Sequence, residues 1–574
     1  MSQWRFRQGN GGHPPAQWAE QLSITPLLLE ILWLRGFRDP ASMDQFLSAR
    51  LGQLTSPDNW PNIPKAAELL AAALLQGKKL AVWGDYDVDG ITATAIVLDV
   101  LEEHGFSPLH HLPDRRSEGY GVNAEGLESL AARGCELLLT VDCGINDCAA
   151  IRRARELGMT VIVTDHHLPG EKLPEADVTV NPRMDGSWPC EHLAGVGVAF
   201  YLMAQVNRLL APKTGRRYKM DNALDLVGLG TLADVMQLEG ENRILVRGGL
   251  ARMANSCRPG ICALKEVSGF DIAGEVSSGQ AVFRLAPRLN AAGRMGDPEL
   301  ALRLLRASAY AEASALARQL DERNQERKAE EKRIFLAASA QARELLEQDD
   351  YAGLVLYGED WHPGIVGIVA SRIVEKFNRP AVVLCKDGDF LKGSGRSVPE
   401  FDLHEGLEQI ADCLQGFGGH KLAAGVRLET GRLEDFRQAF HRIAKACLGG
   451  APRETTLLLE GELRFEDASN HKFLRELELL QPFGPGNPEP VFSSPPVTVK
   501  RRSFLGHTGE HVLLEVWEQK SNITLYAKGW RMAELIPPEI AGREIRLAFT
   551  PRLDMYNGQP RIDLTVRDWK YADR

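Results

Sequence analysis

Nowhere in the 574 residues is there an apolar run long enough to span a bilayer. The most apolar early stretch, ITPLLLEILWLRGF, is interrupted by Glu30, and the opening MSQWRFRQGNGGHPPAQW has no signal-peptide core. A cytoplasmic protein without membrane association is therefore expected. The nine cysteines are scattered, and neither Cys143/Cys148 nor Cys257/Cys262 has the C-x2-C spacing of a zinc site, so reduced thiols are expected. The Walker pattern G-x-x-x-x-G-K-[ST] is missing, as is a complete G-x-G-x-x-G after a strand, which leaves P-loop and dinucleotide-binding readings unsupported. Positive charge is in deficit: the formal net charge of -10 opposes indiscriminate binding to a polyanion. An enzyme acting on nucleic acid would need local basic surfaces to outweigh that field. No repeat of 20 to 50 residues is visible.

The composition, 44% hydrophobic and 25% charged, is that of a folded globular chain, and its length exceeds what one core can serve. From residue 79 short apolar runs (KLAVW, CELLLTV, MTVIVT) alternate with helix-like segments, the pattern of a parallel α/β sheet covered on both faces. The domain reading is a helical lead-in over 1–55, an α/β domain over 56–300, a helical connector over 301–347, a second α/β domain over 348–450, and a β-rich region over 451–574. The connector contains no Gly or Pro. Its charge run is best read as a solvated face, with a backbone contact through Arg323, Arg327 and Lys328 the lesser alternative. A Pro-rich seam, QPFGPGNPEPVFSSPPV, precedes the last strands, and a hairpin is expected around Asn557 and Gly558.

In GDYDVDG, three aspartates, Asp85, Asp87 and Asp89, stand within five residues after a strand and before a helix. One aspartate caps a helix and a second gains from its dipole, but a third exceeds what capping needs. A calcium loop starting at Asp85 would place Ile96 where a bidentate Glu is required. Asp142 follows the next strand-like run, Asp165, His166 and His167 follow another, and Asp234 lies in an apolar helical pattern. In open α/β sheets ligands bind beyond the carboxyl ends of the strands. Carboxylates with imidazole and no thiolate suit Mn2+ or Mg2+, and this many ligands would serve one or two ions.

These residues, in this order, resemble the DHH phosphoesterase superfamily, which is named for the triplet standing here as Asp165, His166 and His167. GDYDVDGITA, LPDRRSEGYGVN, TVDCGI, TDHH, GVGVAF, GLGTLADVMQL and RLNAAGRM resemble successive motifs of its bacterial RecJ branch. WHPGIVGIVASRI, GSGRS and GGHKLAAG resemble its companion DHHA1 domain. The resemblance implies a 5′ to 3′ exonuclease that degrades single-stranded DNA to 5′ mononucleotides with metal-activated water, in repair, recombination and mismatch repair. It implies metal ligation by Asp87, Asp89, Asp142, His166 and Asp234, with Asp85 and His167 at the same centre, and Asp142 as the bridging candidate. Asp87, Asp89, Asp142, His166 and His167 are the catalytic candidates; His167 would orient or polarise the phosphate or assist proton transfer to the leaving oxygen. Family position further implies substrate contacts from Arg115, Tyr120, Asn123, Arg288, Asn290, Arg294, Ser394, Arg396 and His420. Trp83 stands where many superfamily members carry His; indole cannot ligate a hard cation, so Asp85 or water is expected to fill the gap.

From residue 496 the chain carries 13 Lys/Arg against 10 Asp/Glu. Lys500, Arg501 and Arg502, with Tyr526, Trp530 and Tyr556 on strand-like segments, suit an oligonucleotide/oligosaccharide-binding (OB) barrel that tracks a backbone and stacks bases. The expected partners are single-stranded DNA, a helicase and a single-strand-binding protein, with the enzyme itself a monomer. Two alternatives stand beside this reading. One is a DHH phosphoesterase acting on short oligonucleotides or cyclic dinucleotides, against which the barrel argues. The other is a non-catalytic replication scaffold, in which the aspartates would be replaced.

Overall fold

The computed structural model describes residues 2–8, 11–115, 118–184, 186–255, 258–349, 351–449, 456–506, 509–554 and 561–572. They form two compact units, one of residues 54–453 and one joining 1–53 to 454–574.

In the larger unit, five strands form a wholly parallel sheet: β1 (Leu80–Gly84), β2 (Leu109–His111), β3 (Leu137–Val141), β4 (Thr160–Thr164) and β5 (Val178–Val180), in the order β2-β1-β3-β4-β5. β1 and β3 are buried at every residue, as continuous apolar runs require when both faces are covered. Alternate side chains feed two cores: Leu80 and Val82 enter one with Leu137 and Leu139, while Ala81 and Trp83 enter another with Leu127 and Leu138. Helix α1 (Val88–Glu103) follows β1 and is sheathed by α2 (Gly195–Thr214) and α3 (Leu224–Ala233). Its small residues Ala93 and Ala95 permit that enclosure. Beyond the intervening helices Gly240–Ala254 and Pro259–Val267 lies α4 (Ala286–Met295), entered through a π-helical turn over Ala281–Leu285.

The Gly- and Pro-free segment forms α5 (Tyr310–Gln348), 39 residues long. Its first half packs on the helices before it and its last turns on the second sheet. Arg327 is buried, bonded to Asn324 and Glu331, which withdraws it from any backbone contact. The second sheet runs β9-β10-β8-β7-β6, with β6 (Leu354–Gly358) parallel to β7 (Ala381–Asp387) and β8 (Phe390–Arg396), β9 (Gly416–His420) and β10 (Ala423–Glu429) antiparallel. α6 (Val366–Phe377) packs against β7 and β8.

In the smaller unit, β11 (Val497–Leu505), β12 (His511–Glu518), β13 (Ile523–Gly529), β14 (Glu544–Asp554) and β15 (Arg561–Tyr571) close into a five-stranded barrel. Strict alternation along β12, with Val512, Leu514 and Val516 inward, builds its core. The hairpin expected at Asn557 and Gly558, and Tyr556 with it, lies outside the described residues, although β14 and β15 pair antiparallel. The described residues of 1–53, most of the lead-in read from sequence over 1–55, pack here: Gln3–Phe6 pairs in parallel with Thr456–Leu459, and Arg35 is buried against Glu460. That pairing joins segments some 450 residues apart, and no local sequence signal reports it.

Candidate metal centre

Every acidic candidate lies at the carboxyl edge of the first sheet or on the helices facing it. Asp87 is the N-cap of α1, its Oδ1 accepting from the amides of Asp89 at 2.9 Å and Gly90 at 3.1 Å. Asp89, in the first turn, accepts from Gly195 N at 2.7 Å and Val196 N at 2.9 Å, the amides that open α2. Asp142 follows β3 with a left-handed backbone, φ +63°. Gly195 is obligatory beside it, because a Cβ there would stand 2.5 Å from Asp142 Oδ1. Asp234 is the C-cap of α3.

His166 draws these groups together: its Nε2 lies 3.0 Å from Asp142 Oδ1, 3.5 Å from Asp234 Oδ2 and 3.6 Å from Asp89 Oδ2. Three ligand triads overlap, Asp85/Asp87/Asp142, Asp89/His166/Asp234 and Asp142/His166/His167, each with its donor atoms within 4.8 Å of one another. Asp142 and His166 each belong to two of them. Burial, reinforced by neighbouring carboxylates, raises Asp85, Asp142 and Asp234 well above the usual carboxylate range and pushes Asp89 up to about 7. Burial, with His167 beside it, lowers His166 to about 3. Asp85 Oδ1, Asp142 Oδ1 and both ring nitrogens of His166 are buried without hydrogen-bond partners. The orphaned carboxylate oxygens, together with the one acceptor nitrogen of a neutral imidazole, fit a hard divalent cation.

His167 is held differently. Its Nδ1 is 2.7 Å from Asp165 Oδ1 and 3.1 Å from the Tyr120 hydroxyl. Burial disfavours the imidazolium, but the Asp165 bond and charge prevail and raise His167 to about 9. Asp165 also accepts from Ile145 N, His166 N and His167 N, so it organises the loop. Trp83 points away from the cluster, its ring against His111 and against Gly126, where a Cβ would meet it at 2.3 Å; Asp85 is the residue beside Asp87 and Asp142.

A cavity of about 780 Å3 adjoins the centre, lined by Tyr86, Arg115, Tyr120 and Arg294 from the first half and by Ser394, Arg396, Gly418, Gly419 and Gly425 from the second. Arg396 bonds Ser394 Oγ at 2.7 Å, and burial lowers its pKa, with Arg115 contributing. Burial, then Arg115 and Arg327, brings Arg294 down to about 10. Crowded guanidiniums of this kind suit an anion.

Other candidates stand elsewhere. Asn123 is the N-cap of helix Ala124–Ala132, accepting from Gly126 N at 2.8 Å. Arg288 is paired with Asp321 at 2.8 Å and donates to the Arg284 and Val267 carbonyls. Asn290 Oδ1 accepts from Val88 N. His420 is exposed at the end of β9. On the barrel, Arg502 is spent on the carbonyls of Ile536 and Ala533, Arg501 is exposed, and Trp530 is 52% exposed against His511. Lys500 lies over the Trp517 ring at 5.2 Å and Arg561 over Tyr526 at 4.0 Å. Trp517, Arg561 and Tyr86 were not singled out from sequence, and the organising role of Asp165 was not foreseen. Alternation along β12 was the available signal for Trp517, since its neighbours Val516 and Glu518 face inward.

Three family models match in succession: the DHH family N-terminal domain over residues 79–231, the DHHA1 domain over 350–446 and the RecJ OB domain over 459–568. The single-stranded-DNA-specific exonuclease RecJ of Dickeya dadantii is 36% identical over 563 residues, covering 95% of this chain and 96% of that protein. The chain belongs to the RecJ family. RecJ of Escherichia coli is 35% identical over 564 residues, covering 95% of each chain. The crystal structure of RecJ in complex with Mn2+ from Thermus thermophilus superposes with a TM-score of 0.82 at 32% identity, covering 99% of this chain and 79% of that one. The Mg2+ complex of the same RecJ gives 0.76 at 30% identity.

Proposed function

We propose that this protein is a divalent-metal-dependent exonuclease that degrades single-stranded DNA from the 5′ end to 5′ mononucleotides. The observation that carries the reading is the cluster of buried, unpartnered acceptors on Asp85, Asp142 and His166, opening beside a guanidinium-lined cavity. Relatives named as single-stranded-DNA-specific exonucleases, and RecJ structures holding Mn2+ or Mg2+, support it.

Asp85, Asp87, Asp89, Asp142, His166 and Asp234 would hold one or two Mn2+ or Mg2+ ions. Such ions, when bound, activate water and stabilise charge on the phosphoryl oxygens. The protein's own groups do the rest. Asp165 takes the Nδ1 proton of His167 in a hydrogen bond, which leaves Nε2 to donate to the phosphate or to the departing oxygen. Arg115, Arg294, Ser394 and Arg396 grip the terminal 5′ phosphate through charge-assisted hydrogen bonds, so that cleavage counts from that end. Tyr120 braces His167 edge-on, with ring centroids 5.6 Å apart.

The division of labour we infer gives chemistry to residues 56–300, end recognition to 348–450 and retention of the strand to 451–574. In the last, Lys500 with Trp517 and Arg561 with Tyr526 offer paired charge and ring faces. Gripping a free 5′ end needs a strand already opened, which assigns unwinding to a separate helicase and protection of the strand to a single-strand-binding protein, with this enzyme acting as a monomer. Among the described residues no helix is long and apolar enough to cross a membrane; the proposed activity on chromosomal DNA is what supports a cytoplasmic location. Digestion of 5′- and 3′-labelled single strands with Mn2+, Mg2+ or chelator, alongside Asp142→Ala, tests the proposal. Metal-dependent release of the 5′ label first, lost in the variant, is expected; release of the 3′ label first would overturn the polarity.

A further inference from the structure

Helix α1 begins with amides at Val88, Asp89 and Gly90 that its own ladder cannot satisfy. Asp87 Oδ1 takes two of them, at 2.9 and 3.1 Å. The third, Val88 N, is satisfied from a different part of the chain: it donates to Asn290 Oδ1 of α4 at 3.3 Å. The same helix touches the loop a second time. Gly293 approaches it so closely that a Cβ would stand 2.3 Å from Tyr86 O. One turn beyond Asn290, Arg294 lines the cavity and donates to Gly364 O at 3.2 Å. α4 therefore braces Tyr86 and Val88, the residues on either side of Asp87, while its far end is tied to the second half of the unit.

We propose that Asn290 is a positioning residue for the cation-binding loop and not a contact to the nucleic acid. Asp87 and Asp89 sit on the first turn of α1, and their carboxylates point where that turn directs them. Asp87 spends Oδ1 on capping, so only Oδ2 is left to face an ion, and its direction depends on the capping geometry. Without the acceptor at position 290, Val88 N–H must find another partner, and the turn carrying both carboxylates moves with it. A group that orients a ligand from behind typically contributes about 10- to 100-fold to metal affinity. The inference rests on the proposal that this loop holds divalent ions.

The test is a calorimetric Mn2+ titration of the full-length, metal-stripped protein without nucleic acid. Asn290→Ala is expected to bind Mn2+ about 10- to 100-fold more weakly. It should lose turnover at low Mn2+, regain it at high Mn2+, and keep the parent KM for a 5′-phosphorylated oligonucleotide. Asn290→Asp, which retains an acceptor oxygen, should bind Mn2+ at least as tightly as the parent. Asn290→Ser, too short to reach Val88, replaces the alanine variant if that one does not fold. Unchanged Mn2+ affinity with a raised KM would make Asn290 a substrate contact and overturn the proposal, as would equal loss of affinity in the aspartate variant. A parent that binds Mn2+ but cleaves no DNA would defeat the nuclease reading and leave this inference to stand or fall on the titration.

Discussion

The two α/β halves of the larger unit present opposite chemistry at their strand ends. The first gathers Asp85, Asp87, Asp89, Asp142 and Asp234 around two imidazoles, most of them buried. The second offers Gly393, Ser394, Gly395 and Arg396 on β8, a glycine-rich β9, and Gly425 on β10. Like charges packed together out of water oppose folding unless a cation joins them. Bare backbone beside a guanidinium costs little and waits for an anion. On the proposed reading, the contrast teaches that one half spends stability to make a cation site while the other offers a guanidinium and bare backbone to an anion.

Removing one acid should break the contrast most sharply. Asp142→Asn is expected to lower turnover by at least ~10³-fold, the scale of losing charge stabilisation at a reacting centre. It should also raise the melting temperature of the metal-free protein, because one buried like charge is gone. Lower stability in that variant would mean that the acids are not in conflict. The pH dependence comes next. Asp89, near 7 against an ordinary 3.8, holds its proton more tightly folded than unfolded, and Asp85, Asp142 and Asp234 are raised likewise. For Asp89 the stabilisation is complete below about pH 4 and is lost as pH climbs toward 7, and the other three lose theirs in the same direction. His167, raised from 6.5 to about 9, extends the loss to higher pH. His166, lowered from 6.5 to about 3, opposes it only between those two values. Urea melts of the metal-free protein should show a net decline of a few kcal/mol between pH 4 and 9, flattened by saturating Mn2+. In the anion half, Arg396→Gln should erase about 10- to 100-fold of preference for 5′-phosphorylated over 5′-hydroxyl strands, the strength of one charge-assisted hydrogen bond. Mn2+ affinity should not change; if it falls, the two halves are not chemically separate.

The acid-rich edge was legible because its residues break local rules: three aspartates exceed what capping needs, and paired histidines follow a buried strand. The parallel sheet followed from apolar runs between helix-like segments, and the barrel from basic and aromatic residues on strand-like segments, but the order of the strands in the sheet did not. What stayed hidden was relational. Asn123 and Asn290 share a residue type and a family-motif setting, yet one caps its own helix and the other satisfies an amide some two hundred positions away. Arg288 and Arg502 look like phosphate binders by charge, but Asp321 and the carbonyls of Ile536 and Ala533 hold them. Charge in a sequence does not say whether a partner has already claimed it.

Backbone strain draws the same line between the halves, and it supports the smallest effect. Among described residues of 351–449, the one non-glycine with a left-handed backbone is Asn378, at a helix end where Asn is at home. The acidic edge has Asp142 at φ +63° and Val235 at φ +57°. Val235 follows Asp234 at the end of α3, in the position that glycine usually fills, and Met236 N closes the turn onto Thr231 O at 3.3 Å. A β-branched residue there costs about 1–2 kcal/mol, and at 60% exposure its side chain recovers little by burial. Val235→Gly should therefore stabilise the metal-free protein by about 1 kcal/mol, read as a higher urea midpoint with an unchanged slope. Glycine also frees the segment that fixes Asp234, so Mn2+ affinity should weaken by severalfold while stability rises. Opposite movement of the two measurements would show that strain is spent on holding a ligand; a gain in stability with no loss of affinity would make Val235 an ordinary imperfection of the turn.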